Sequence, residues 1–220
     1  MTLENHQRNH LIGGALPGPV SQLGTVLAPN YYEGLVDING DQRQHRRYFT
    51  YKTPAGLMTG TTTSVMFTID RPAKEIWPYF KDFNLWQNSY HHYYSGVVGD
   101  LEGKPFRITL GAGLDDPRGT SVEYKVERVI PQYLIVITQL VPEANRVGSM
   151  GGFMVFMLNE HEGQTVVTIM MQHDRLTTDV AEEEAIGFWR RFAPEVLMKW
   201  RDHFIPTLKR LVYGADTNVT

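Results

Sequence analysis

The chain has 220 residues, 42% hydrophobic and 20% charged, a composition that excludes wholesale disorder and collagen-like structure and allows one domain with a real core. Lys and Arg number 21 against 24 Asp and Glu, so no global positive field exists to draw a phosphate backbone, and nucleic acid is not an expected partner. With no cysteine, disulfides, thiolate nucleophiles and Cys-ligated metal centres are excluded, which fits a reducing compartment.

Met1 to His10 are polar, and the apolar stretch after them is broken by Gly13, Gly14, Pro17 and Pro19, unlike a secretory signal. The longest later apolar run, Gly152 to Leu158, is far below the roughly 20 residues of a membrane helix. A cytoplasmic protein without a membrane span is expected.

Residues 1–46 are dense in breakers (Pro29, Gly34 and Gly40 among them) and read as an irregular N-terminal extension. Its apolar residues, such as Leu23, Leu27 and Tyr31, suit packing on the body, a homo-oligomer interface or a lid. The domain proper is read as 47–213, with 214–220 as a tail. The basic cluster Arg43, His45, Arg46 and Arg47 reads as a solvated loop or strand edge.

From Arg47 the pattern changes to period two, and Thr61 to Ile69 reads as the first sheet strand. Asp70 then precedes Arg71-Pro72, and Ile76, Trp77, Phe80 and Phe83 recur at helical spacing, predicting a capped helix from Asp70 to about Trp86. A short helix or turn is expected through Gln87 to Tyr94. Six extended segments follow: Val97–Glu102, Phe106–Leu110, Thr120–Ile130, Tyr133–Val141, Gly152–Glu160 and Gln164–Leu176. The last two are joined by His161-Glu162-Gly163, a tight hairpin signal.

Asp179 to about Val212 predicts a long helix, with a capping signature at Thr178-Asp179 and Glu182 to Glu184. At 100° per residue, Trp189, Phe192, Val196, Trp200, Phe204 and Leu208 share one face. Pro194 and Pro206 are expected to kink or interrupt it.

This order of elements resembles that of the START/Bet v 1-like proteins, also called the polyketide cyclase-like or SRPBCC superfamily. The resemblance covers about Thr61 to Val212 and is most specific over Val65 to Trp86, where the turn after the first strand reads Arg71-Pro72-Ala73. It implies an α+β helix-grip fold, a curved antiparallel β-sheet wrapped around the long C-terminal α-helix, with a hydrophobic ligand cavity between them. The NTF2-like cone ordinarily ends on a strand, so the terminal helix argues against it.

Alternation along Gln164 to Leu176 turns Val167, Ile169, Met171 and His173 inward. Tyr124 and Arg128 accompany Val122 and Val126, and Gln139 accompanies Ile135 and Ile137. On the helix His203 falls inside the apolar arc and Lys199 at its edge. His173, His203 and Tyr124 are therefore the catalytic candidates, since histidine moves protons near neutral pH and tyrosine donates to a developing oxyanion. Arg128, Gln139, Met171, Trp200, Lys199 and, near the presumed mouth, His92 and Tyr94 are the substrate-binding candidates.

Gly111-Ala112-Gly113 lacks the rest of a dinucleotide loop, Asp115-Asp116 read as solvated, and no metal-ligand spacing occurs, so neither cofactor nor metal is expected. Three readings remain open. One is a cofactor-independent lyase, cyclase or hydrolase acting by general acid–base catalysis on a hydrophobic, aromatic or polyketide-like molecule. The second is a non-catalytic binding or transport protein for such a ligand, and the third is an interaction protein using the apolar extension.

Overall fold

The structure, a computed structural model, describes residues 30–86, 92–94, 96–110, 120–141 and 147–214. Their strands are β1 (Asn30–Asn39), β2 (Gln42–Thr53), β3 (Gly56–Ile69), β4 (His92–Tyr94), β5 (Pro105–Leu110), β6 (Thr120–Ile130), β7 (Leu134–Gln139), β8 (Met150–His161) and β9 (Gln164–Thr177). All lie in one antiparallel sheet in the order β1-β2-β3-β9-β8-β7-β6-β5-β4. The helices are α1 (Ala73–Phe80), α2 (Glu182–Lys199) and α3 (Ile205–Tyr213). With the π turn Trp200–Phe204 between them, α2 and α3 form the long C-terminal helix of 32 residues that the curved sheet grips.

Residues 30–46, expected to be irregular, instead supply β1 and the start of β2. Their glycines are absorbed by the sheet: the register shifts between Tyr32 and Gly34, and Gly40, at φ +58, makes the β1–β2 turn. Residues 1–29 lie outside the described set, as do Gly111–Gly113, Asp115, Asp116 and 215–220. Two further local readings are corrected. Val98–Asp100 is a 3-10 turn, not part of a strand, and His92–Tyr94 is a strand paired with β5, not a helix or turn.

The predicted helix over Asp70 to Trp86 is split into α1 and a 3-10 turn, Phe83–Trp86. Asp70 does not cap it. Pro72 takes the cap position, and the carboxylate of Glu160 on β8 accepts the N–H of Ala73 at 2.8 Å, placing negative charge at the helix N-terminus from across the fold. The hairpin at His161 to Gly163 forms as the sequence indicates, with Glu162 and Gly163 both at positive φ and His161 paired to Gln164.

The two helix prolines behave differently. α2 continues through Pro194, whereas Pro206 lacks the N–H for an i→i−4 bond and lies just after the π turn, where the N–H of Ile205 reaches the carbonyl of Trp200. The wider turn keeps Trp200 and Phe204 both buried.

Two apolar clusters lie between helix and sheet. The larger joins Phe80, Phe83, Trp86 and Phe156 to Trp200 and Phe204, with Phe83 and Phe156 rings 4.7 Å apart and Trp200 and Phe204 rings 4.6 Å apart. The smaller, toward the start of α2, joins Tyr48, Ile186, Trp189 and Ala193, flanked by Met150, Phe188 and Phe192. Inside it the indole N–H of Trp189 donates to Thr59 Oγ1 at 2.9 Å. The polar residues of interest sit between and beside these clusters.

Candidate active site

Hydrogen-bond register places the chief candidates in one row across the concave face. Thr61 on β3 pairs with His173 on β9, and His173 pairs with Gly152 on β8. The β7–β8 register runs to Thr138 opposite Phe153, so its next step sets Gln139 beside Gly152, and Gln139 itself pairs with Tyr124 on β6. Phe106 on β5 ends the row opposite Tyr124. At about 4.8 Å per strand, backbone positions 173 and 139 are about 10 Å apart and 173 and 124 about 14 Å apart.

Alternation fixes the side chains: Val167, Ile169 and Met171 are buried on the same face of β9, as are Val126 on β6 and Ile135 and Ile137 on β7. His173 is covered by Phe192 of α2, the two rings meeting edge to face at 5.1 Å. Its Nδ1 is buried and has no hydrogen-bond partner among the described residues, and burial pulls its pKa down to about 4, so the imidazole is neutral at physiological pH. Tyr124 stacks on Phe106 at 5.6 Å, and burial pushes its phenol up to about 12. One end of the row therefore holds a neutral imidazole and the other a firmly protonated phenol. Gln139 donates to the carbonyl of Met150 at 2.8 Å, bracing β8 just beyond the last β7–β8 pair.

No protein-family model and no curated protein sequence matches the chain. Among solved structures, a Staphylococcus aureus protein of unknown function, SA2116, superimposes with TM-score 0.51 at 10% identity, covering 69% of this chain and 94% of its own. Protein MLL2253 of Mesorhizobium loti does so with TM-score 0.50 at 16% identity, covering 71% of this chain and 99% of its own. Norcoclaurine synthase from Thalictrum flavum gives TM-score 0.49 at 11% identity, with 70% and 94% covered. The chain has the helix-grip fold, a curved antiparallel sheet around a long C-terminal helix.

Within this helix-grip frame the other sequence candidates divide. Met171 and Trp200 are buried against each other, the indole N–H donating to the thioether sulfur at 3.1 Å, and both belong to the large apolar cluster. His203 and Lys199 are half-buried, on one stripe of the long helix with Phe192 and Val196. His203 is eleven residues beyond Phe192, so it stands about 16 Å along the helix from the turn that covers His173, and the two histidines do not meet. His92 and Tyr94 lie on β4, and their side chains are outside the described set, as is His91.

Arg128 does not point inward. Strict alternation fails because Glu127 is an extra residue: Val126 pairs with Ile137 but Arg128 pairs with Val136, a β-bulge that turns Val129 toward the core instead. The side chain is 62% exposed and its guanidinium is ion-paired with Glu102 at 3.0 Å, on the outer side of the molecule.

The residue that sequence reading missed is Arg175. Two positions beyond His173 on β9, it shares the concave face, between Thr59 on β3 and Met150 on β8. Its Nε is buried without a partner among the described residues, and its guanidinium lies 5.9 Å from the centre of the Phe188 ring on α2. Thr63, one inward position from Thr61 in the opposite direction, adds a buried hydroxyl without a partner. The signal was available, because continuing the alternation past His173 reaches Arg175. Among the described residues no three His, Asp or Glu side chains gather as metal ligands, and no helix is long and apolar enough to cross a membrane.

Proposed function

We propose that this protein is a cofactor-independent enzyme that takes a hydrophobic, aromatic or polyketide-like molecule between α2 and the concave face of β6 to β9 and acts on it by general acid–base catalysis. The observation that carries this reading is the His173 Nδ1, buried and unpartnered under Phe192 and next in line on its face to the apolar Met171, Ile169 and Val167. A buried polar atom left without a partner costs roughly 1–3 kcal/mol, which a fold stabilised only by packing has no reason to bear. Gly152, between His173 and Gln139 in the row, carries no side chain and leaves a bare lane on the face at that position.

In this reading the neutral imidazole accepts a proton from an acidic C–H of the bound molecule, and the bonding electron pair moves to the oxygen of the adjacent carbonyl, giving an enolate and an imidazolium that returns the proton to the molecule. Tyr124, kept protonated, donates a hydrogen bond to an oxygen at the far end of the same molecule. The separation along the row means that His173 and Tyr124 address opposite ends of a two- or three-ring ligand, not one atom.

The test is deuterium exchange. A panel of aromatic β-dicarbonyl compounds is incubated with the protein in deuterium oxide, and loss of the acidic C–H signal is followed by proton NMR. Exchange above the buffer rate that drops about 100-fold in His173→Gln supports the assignment. Equal exchange in wild type and His173→Gln removes His173 from the chemistry.

A further inference from the structure

We infer that the molecule bound on this face is an acid, and that Arg175 is the residue that binds its anionic oxygen. The inference rests on reading the concave face as a ligand site and adds the charge that the ligand carries there.

Arginine stays protonated at every physiological pH, so a half-buried guanidinium needs an anion or a set of acceptors. The surroundings of Arg175 supply neither among the described residues. Asp174 and Leu176, its chain neighbours, alternate to the other face of β9. Thr59, across the ladder on β3, already accepts the indole N–H of Trp189, and Met150, across on β8, offers only a thioether. Above it, Phe188 presents a ring face, and Glu184, one helical turn earlier on α2, is exposed and forms no ion pair. What remains is a guanidinium whose Nε is out of water and unpartnered.

No side chain covers the guanidinium from the β8 side: Gly148, at φ +80, stands beside it, and a Cβ added there would meet Nη2 at 3.7 Å, an ordinary van der Waals contact. Arg175 and His173 are alternate residues of one strand, their side chains on one face about 7 Å apart at the backbone. An acid held by the guanidinium thus brings the neighbouring carbon or hydroxyl within reach of the imidazole, while the apolar remainder runs along the Gly152 lane toward Tyr124. The substrate class this selects is an aromatic or polyketide-like carboxylate, or an equivalently acidic enol or phenol, in preference to a neutral hydrocarbon or an amine.

Two fluorescent probes that differ by one anionic group test this: 1-anilinonaphthalene-8-sulfonate and its uncharged parent N-phenyl-1-naphthylamine. Their dissociation constants are measured on wild type, Arg175→Met and Arg175→Lys, with near-UV circular dichroism confirming that each variant keeps its packing. Arg175→Gln replaces the Met variant if that one fails to fold. The expected result is that Arg175→Met weakens the sulfonate at least tenfold and the uncharged parent less than twofold, with Arg175→Lys in between. An unchanged preference for the sulfonate in Arg175→Met overturns the inference while leaving the ligand site intact. Failure of wild type to bind the uncharged parent overturns the ligand site itself, and the inference with it.

Discussion

Gly152 stands directly across the ladder from His173, so the imidazole has bare backbone and no side chain beside it on that flank. The backbone there is at φ +148, and a Cβ would overlap the carbonyl oxygen of Gln172 on the paired strand. The lane beside His173 is thus fixed by backbone geometry. Gly152→Ala is expected to destabilise the protein by about 2 kcal/mol or more, because both the positive φ and the collision act against it. Urea denaturation measures this, and a change below about 0.5 kcal/mol would show that the strand relaxes freely at this point.

His173 makes stability depend on pH with a defined sign. Its folded pKa, about 4, lies below the unfolded value of 6.5, so between these two values the unfolded chain binds more protons than the folded one. Stability is fully present above pH 6.5 and falls as pH drops toward 4, by up to about 3 kcal/mol from this group. His173→Gln is expected to flatten that part of the curve of unfolding free energy against pH. An unaltered acid limb in the variant would mean that the imidazole takes up its proton in the folded state.

Trp189 and Thr59 are expected to be energetically coupled. Thr59→Val leaves a buried indole N–H without its acceptor and should cost about 1–2 kcal/mol, whereas the same change made on Trp189→Phe should cost less than about 0.5 kcal/mol. Equal costs in the two backgrounds would mean that the 2.9 Å hydrogen bond contributes nothing.

Much of this was legible in the sequence where periodicity is strict. Alternation along β9 correctly turned Val167, Ile169, Met171 and His173 inward, and the same rule on β6 and β7 found Tyr124 and Gln139, which the register then joined into a row. The same rule misplaced Arg128, because the bulge at Glu127 arises from local strand pairing that hydrophobicity does not encode. It also stopped one step short of Arg175, since a charged residue near a strand end is normally read as solvated. Gly34 and Gly40 made residues 30–46 look irregular, although one sits at a register shift and the other at a turn of ordinary strands. The separation of His203 from His173 depends on which helical turn lies over which strand, a tertiary fact that the helical wheel does not contain.

Because Arg128 faces outward, Arg128→Ala is expected to change stability by less than about 1 kcal/mol and to leave probe binding on the concave face unchanged. A tenfold loss of probe affinity in this variant would return Arg128 to the site and place the bulge in doubt.

The central claim is that a hydrophobic ligand binds between the long helix and the concave face, over His173. Chemical-shift mapping of the amide spectrum during titration with N-phenyl-1-naphthylamine tests it most directly. The account predicts the largest perturbations at Gln139, His173, Arg175 and Phe192, extending to Tyr124. Perturbations absent there and centred instead on the exposed Met66 and Val166 of the outer face would contradict it.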